Sequence, residues 1–272
     1  MPSTKKLALH LVLVCAAASF LYPFLWMAAA ALKPGSEALS MSLWSSHFTL
    51  ANYAAVFKKI PIGRALLNSL LVASCTTASV LFFSSLAGYA LAKLRFRGKQ
   101  AVFIAALVTM MIPGQLTLIP LYTLIVRFGW IDSYLGLIAP GMMSAMGILI
   151  FRQTFMAIPD ELIEAARIEG CSELDILIRI FWPLSKPAMV TVGIVTFMAS
   201  WNEVLWPMMV IREQQMMTMP QMITMFSVGG QAGGELGVEL AASMILVLPI
   251  AAAYAFFQRY FIEGIATAGI KG

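Results

Sequence analysis

The sequence predicts an all-α polytopic membrane protein with six transmembrane helices. Three observations carry that prediction. The chain is 60% hydrophobic, only 11% charged, and has a mean hydropathy of +0.86, whereas soluble domains carry about 25% charged residues. Its uncharged stretches recur at lengths suited to a bilayer crossing, about 17–25 residues. Most of its charge is gathered in the segments between them.

The first span covers residues 8–32. It follows Lys5 and Lys6, and its apolar run exceeds the roughly 7–15 residues of a secretory h-region, so it reads as an uncleaved helix. Residues 65–92 form the second span, between Arg64 and Lys93. The third, 101–121, holds Pro113, Gly114 and Pro120 and is expected to break before its end. The fourth is 133–152, the fifth 184–210 with Lys186 and Glu203 inside it, and the sixth 239–259. Residues 214–234 are also uncharged, but their glutamines, Pro220 and glycines point to a surface or re-entrant segment. The chain, 1–272, reads as a single transmembrane domain.

An even number of spans puts both termini on one side, and basic residues choose the side. Twelve of the 18 lie on the N-tail, the second-to-third loop, the fourth-to-fifth loop with its flanks, and the C-tail; six lie opposite. The termini and the loop 156–183 are therefore expected in the cytoplasm. The net charge of +5 follows this topology and is no nucleic-acid signal. Cys15, Cys75 and Cys171 have no disulfide or metal spacing, and His10 and His47 form no cluster, so no metal site is expected.

The loop 156–183 holds six of the chain's 13 acidic residues, more than a plain connection needs. Pro159 fits the first turn of a helix, with Asp160 and Glu161 favourable at its positive end. Gly170 suits a left-handed cap. Ser172 to Asp175 has the form of a capping box for a second helix, which Pro183 is expected to end. On the first helix Leu162, Ala165, Ala166 and Glu169 share a face at three-and-four spacing, where small residues admit a partner surface. A solvated loop with routine caps would read the same way from these signals alone.

Glu164-Ala165-Ala166, Gly170 and Ile180-Phe181-Trp182-Pro183 together resemble the EAA loop of binding-protein-dependent ABC importer permeases. Glu169, Cys171 and Trp182 depart from that pattern, which has Asp, Ala and Leu there. The segments Leu32-Lys33-Pro34, Asn68-Ser69-Leu70, Ala87 to Lys99 and Ser200 to Pro207 are similar to the carbohydrate-uptake branch. The C-terminus, Gly264 to Gly272, is similar to the tail of the six-span maltose-transporter permease. The resemblance implies a type I ABC importer permease fold in a bacterial inner membrane. It implies that 156–183 is a coupling helix contacting an ATPase through Glu164, Ala165, Ala166, Glu169, Gly170 and Pro183. It places Gly269, Lys271 and Gly272 at the ATPase interface. The implied partners are a second permease subunit, two ATP-binding-cassette subunits, an extracytoplasmic solute-binding protein and membrane lipid. The implied cargo is a sugar, oligosaccharide or glycerol phosphate.

No ATP site is expected in the chain itself. Gly98-Lys99-Gln100 lacks the upstream glycine and the following Ser or Thr of a phosphate loop. ATP and Mg are therefore expected on the partner ATPases, no cofactor here, and no catalytic residue. Glu203 is the one acid well inside a span, and such residues face interiors or cavities. With Asn202 and Trp206, four apart, it forms the candidate solute pathway, set against an interfacial aromatic belt. Asn68, Ser69, Gln115 and Thr117 are weaker polar candidates beside ordinary interhelical hydrogen bonds. The remaining alternatives are an ABC permease for another solute class and an ion-coupled secondary transporter.

Overall fold

Helix is the only regular structure among the described residues of this computed structural model. These cover the backbone of 4–228 and 235–269, with side chains for 6–228, 235–252 and 255. The helices are α1 (Thr4–Ala31), α2 (Ala51–Lys59), α3 (Ile62–Lys93), α4 (Lys99–Met111), α5 (Gly114–Arg127), α6 (Tyr134–Ile138) and α7 (Ala145–Met156). Then come α8 (Glu161–Ile168), α9 (Glu173–Ile176), α10 (Trp182–Leu184), α11 (Lys186–Trp201), α12 (Leu205–Val210), α13 (Met219–Val228) and α14 (Leu236–Gly269). The chain divides into two compact units, Met1–Gly63 with Met222–Ala252, and Arg64–Gln221 with Ala253–Gly272.

In the first unit, α1 is a long apolar helix that is exposed along most of its length and buried only at its end, at Ala30 and Ala31. Its end is tied down by polar groups. Asn52 on α2 is buried and donates to the carbonyls of Ala31 and Lys33, at 2.9 and 2.7 Å, satisfying oxygens the helix leaves free. Gly237 lies against that amide, where a side chain would collide with Asn52. Lys33 is fully buried, and its ammonium donates to the Ser40 hydroxyl and to the carbonyls of Ser40 and Ser42.

The second unit carries the broken helices. Among the described residues, α1 and α3 are the single helices long and apolar enough to span a bilayer. The third expected span is two helices, α4 and α5, meeting at 104°. The break falls at Ile112 and Pro113, while Pro120 is accommodated inside α5. The fourth is bent by 44° between Tyr134–Gly141 and Ala145–Met156. The fifth does not run to residue 210: α11 stops at Trp201 and α12 starts afresh at Leu205. The segment from 214, expected as a surface or re-entrant segment, is at the surface only where it begins, at Gln214 and Gln215. Met217, Met219, Met222, Ile223 and Phe226 are buried, and so is Gln221, whose amide donates to the Ile211 carbonyl at 2.8 Å.

α3 and α7 cross at very short range because small residues meet there. A Cβ on Gly88 would lie 2.6 Å from the Phe151 Cβ and 3.0 Å from the Arg152 nitrogen. One on Gly147 would lie 3.1 Å from the Ser84 side chain. The Ser84 hydroxyl accepts from the Ser144 N–H at 3.0 Å, stitching the same crossing. Gly88→Ala should therefore destabilise the subunit by about 1–3 kcal/mol through overpacking. Gly35→Ala, with open space around it, is the control. Thermal midpoints of the purified variants would check the difference.

Candidate functional site

The charged segment folds as a two-helix knuckle in the second unit. Pro159 stands ahead of α8 rather than in its first turn, since the helix begins at Glu161 with Asp160 as its cap residue. The Asp160 side chain does not cap. Its Oδ1 accepts from the Lys93 ammonium at 2.5 Å, and the same Nζ donates to the Ile158 carbonyl at 2.5 Å. That hydrogen bond and the Lys93 charge hold the Asp160 carboxyl below the usual carboxylate range.

α8 closes as expected on Gly170, at φ +82°. The Gly170 N–H donates to the Arg167 carbonyl and the Cys171 N–H to the Ala166 carbonyl, both at 3.0 Å, the paired bonds of a Schellman turn. Ser172 then caps α9 by accepting from the Asp175 N–H at 3.1 Å. Asp175 answers by accepting from the Ser172 hydroxyl.

Pro183 does not end the second helix. The chain widens into a π turn over Leu177–Phe181, continues through α10, and turns by 89° at Ser185 into α11. In α register the proline ring would meet the carbonyl four residues back. The wider turn before it removes that clash and lets the helix pass through Pro183 to Leu184.

Ile163, Ala166, Ile176, Leu177 and Phe181 bury one face of the knuckle in a common core with Tyr89, Phe151 and Phe155. Phe181 meets Tyr89 and Phe155 edge-on, with centroids 5.0 and 5.1 Å apart. Ala166 is 5% exposed and so faces the knuckle's own core, not a partner. The face shared by Ala165 and Ala166 in the sequence pattern is thus divided. Glu161, Leu162, Glu164, Ala165 and Ile168 form the outer, exposed surface, with Glu169 and Gly170 at its end.

A polar tie that the sequence pattern did not announce completes the knuckle. The Tyr89 hydroxyl donates to Glu173 Oε2 at 2.6 Å, and Arg167 Nε donates to Oε1 at 2.7 Å. The Arg167 and Tyr89 hydrogen bonds pull the Glu173 carboxyl below its ordinary range against partial burial. Tyr89 and Lys93 lie four apart at the end of α3, one turn of helix, and that spacing was the available signal.

A cavity of about 510 Å³ opens in the same unit between α3, α5, α11 and α12. Glu203 and Trp206 line it, as do Gln115 and Thr117. Asn202 does not: its amide donates back to the Met198 carbonyl at 2.8 Å. The helix breaks between Trp201 and Leu205, so residues four apart no longer share a face. Glu203 Oε1 accepts the Trp206 N–H at 3.2 Å, starting α12. Trp206 is nearly buried, with its indole N–H on the Gly136 carbonyl at 2.9 Å, which makes it wall rather than open platform. Asn68 and Ser69 are taken up by structure. Asn68 bridges the Gln215 and Met217 carbonyls and the Tyr134 hydroxyl, and Ser69 accepts the Met219 N–H. Lys271 and Gly272 lie outside the described residues, and Gly269 is the last residue of α14.

Residues 81–266, which include the knuckle and most of the cavity wall, match the family model for the binding-protein-dependent transport system inner membrane component. The chain belongs to this family. It is an inner-membrane, multi-pass ABC importer permease subunit, a transport component and not an enzyme. It is 34% identical to the arabinooligosaccharides transport system permease protein AraQ of Bacillus subtilis, over 99% of this chain and 97% of that one. It is 32% identical to the sn-glycerol-3-phosphate transport system permease protein UgpE of Pectobacterium atrosepticum, over 86% and 82% of the two chains. Its fold matches a chain of a bacterial ABC transporter involved in the import of the acidic polysaccharide alginate. The TM-score is 0.81 at 22% identity, covering 95% of this chain and 96% of that one. The permease therefore has the all-helical type I ABC importer fold.

The division of the knuckle into inner and outer faces can be tested directly in this permease. Ala166→Leu should overpack the core and cost about 1–3 kcal/mol, whereas Ala165→Leu should leave the thermal midpoint near wild type. Acid should also loosen the knuckle. The carboxyls of Asp160 and Glu173 are lowered on folding. Their stabilisation is thus complete above the ordinary carboxylate range, about 4, and is lost as pH falls through the lowered values. Amide protection over 161–181, corrected for the intrinsic pH dependence of exchange, should stay flat from about pH 8 to 5 and fall only below about pH 4.

Proposed function

We propose that this permease is one of two membrane subunits of an importer for a carbohydrate or related polyol, a class that includes glycerol phosphate. An extracytoplasmic binding protein delivers the solute, and two ATPase subunits hold ATP and Mg and drive transport. The relatives that carry arabinooligosaccharides and sn-glycerol 3-phosphate support the solute class. In this reading the chain is one transmembrane domain, 1–272, of six spans with both termini in the cytoplasm, each bent helix pair counting as one crossing. The basic residues on one side of the sequence support that orientation.

One observation carries the mechanism. The knuckle is fixed to α3 by Lys93–Asp160 and Tyr89–Glu173 while its outer face stays exposed. A body pressing on Glu164, Ala165, Glu169 and Gly170 would therefore displace α3 and α7 with it. Ala166 serves from inside as core, and Pro183, itself exposed, as part of the helix before the Ser185 corner. Gly269, Lys271 and Gly272 are assigned to the ATPase interface by their similarity to the maltose-permease tail. Glu203 and Trp206 line the solute path, and Asn202 holds the end of α11 beside it.

Gly170→Asp tests the docking role. It adds a charge to the outer face and a side chain at a left-handed position, while nothing stands within 4 Å of the new atom. The variant should insert and assemble with its partners, yet lose most solute-stimulated ATP hydrolysis and uptake. Wild-type uptake would refute the role. Alanine at Glu203 or Trp206 should lower uptake at least several-fold in proteoliposomes with normal assembly, and unchanged uptake and ATP hydrolysis would refute the path.

A further inference from the structure

The cavity wall has a chemical character beyond the solute class just proposed. Among the described residues lining it, none is Lys, Arg or His, and the single charge is Glu203. The other polar side chains are hydroxyls, on Thr76, Thr117, Ser144, Thr196, Ser200 and Thr218, the Gln115 amide and the indole of Trp206. Two of these are unusual. Thr76 and Thr218 are 7% and 4% exposed, and their hydroxyl oxygens are buried without a hydrogen-bond partner. Both oxygens are closed off in the packing, so the polar groups that a guest in the cavity can meet are Gln115, Thr117, Thr196 and Ser200, an amide and three hydroxyls.

We infer that this wall accepts an uncharged polyhydroxylated solute and rejects anionic ones, with Glu203 as the charge-selecting residue. The inference rests on the solute-path reading above and narrows it. Neutral sugars present donors and acceptors that Thr117, Ser200 and Gln115 can meet in either sense. A phosphate or uronate would approach a fixed carboxylate with no cation beside it. Glu203 Oε1 is held in place by the backbone N–H of Trp206. A like charge within roughly 8 Å at an effective dielectric near 20 lowers occupancy about thirtyfold. Rejection by one unpaired charge is the repulsive half of specificity, which favourable contacts alone do not provide.

Thiol chemistry tests this whatever the natural cargo is. The native Cys15, Cys75 and Cys171 are changed to serine, and Thr117→Cys or, as a second site, Ser200→Cys is introduced into the assembled transporter in proteoliposomes. Rates are compared for hydroxyethyl, trimethylammonioethyl and sulfonatoethyl methanethiosulfonates, normalised to a free thiol, without nucleotide and in the vanadate-trapped state. The neutral and cationic reagents should react readily, and the anionic one at least about tenfold more slowly. Glu203→Gln should bring the anionic and neutral rates within about threefold of each other. Equal rates for neutral and anionic reagents in the parent would overturn the charge inference and leave the path standing. A bias that persists in Glu203→Gln would overturn the role of Glu203. No reaction of the neutral reagent at either cysteine in either state would overturn the path itself.

Discussion

The wedge of Phe181 between Tyr89 and Phe155 is the contact on which the knuckle end of the second unit depends. It joins three segments distant in sequence: the end of α3, the end of α7 and the π turn of the knuckle. Phe181 is fully buried, and deleting such a side chain costs about 3–5 kcal/mol. The polar ties around it are weaker. Arg167 and Glu173 are nearly half exposed, and pairs in that setting contribute about 0–1 kcal/mol. Hydrophobic contact therefore supplies the strength, while Tyr89, Lys93, Asp160 and Glu173 fix the direction in which the knuckle is held.

That division explains why the knuckle can be both firm and exposed. Its inner face is closed by the aromatic cluster, and its ends by the Schellman turn at Gly170 and the Ser172 cap, so no buried backbone group depends on a partner. The outer face is then free of structural duty. Leu162 and Ile168 remain exposed on it beside Glu161 and Glu164, an arrangement suited to a partner surface with apolar pockets and basic rims. The Trp182 that departs from the family pattern is also accommodated inward, its indole donating to the Ser85 hydroxyl at 3.1 Å.

Much of this was legible in the sequence because it rests on local rules. The left-handed turn at Gly170, the Ser172 cap and the break at Pro113 each follow from the preference of one residue type, and each is present. The family also followed from quoted motifs and is shown by the comparisons. What was misread depends on packing. Ala165 and Ala166 are adjacent and chemically identical, and only the position of Phe155 and Ile176 makes one inner and one outer. Pro183 reads as a terminator by propensity, yet a widened turn upstream lets the helix continue. The spacing of Asn202 and Trp206 assumes an unbroken helix, which the structure does not have. The glutamines near 214–221 suggested a surface or re-entrant segment; Gln214 and Gln215 are exposed, while Gln221 spends its donor on the Ile211 carbonyl.

The close crossing of α3 and α7 has a mechanical consequence. With Ser84 and Gly88 pressed against Gly147 and Phe151, the two helices cannot slide or rotate past one another without side chains colliding. They form one rigid lever that ends in the knuckle. Any change in access to the cavity must then be taken up elsewhere, at points where the backbone is already interrupted: Ile112–Pro113, the 202–204 break and the Ser185 corner. Interruptions that cost regular helix hydrogen bonds thus serve as the fulcrums about which a stiff beam can tilt.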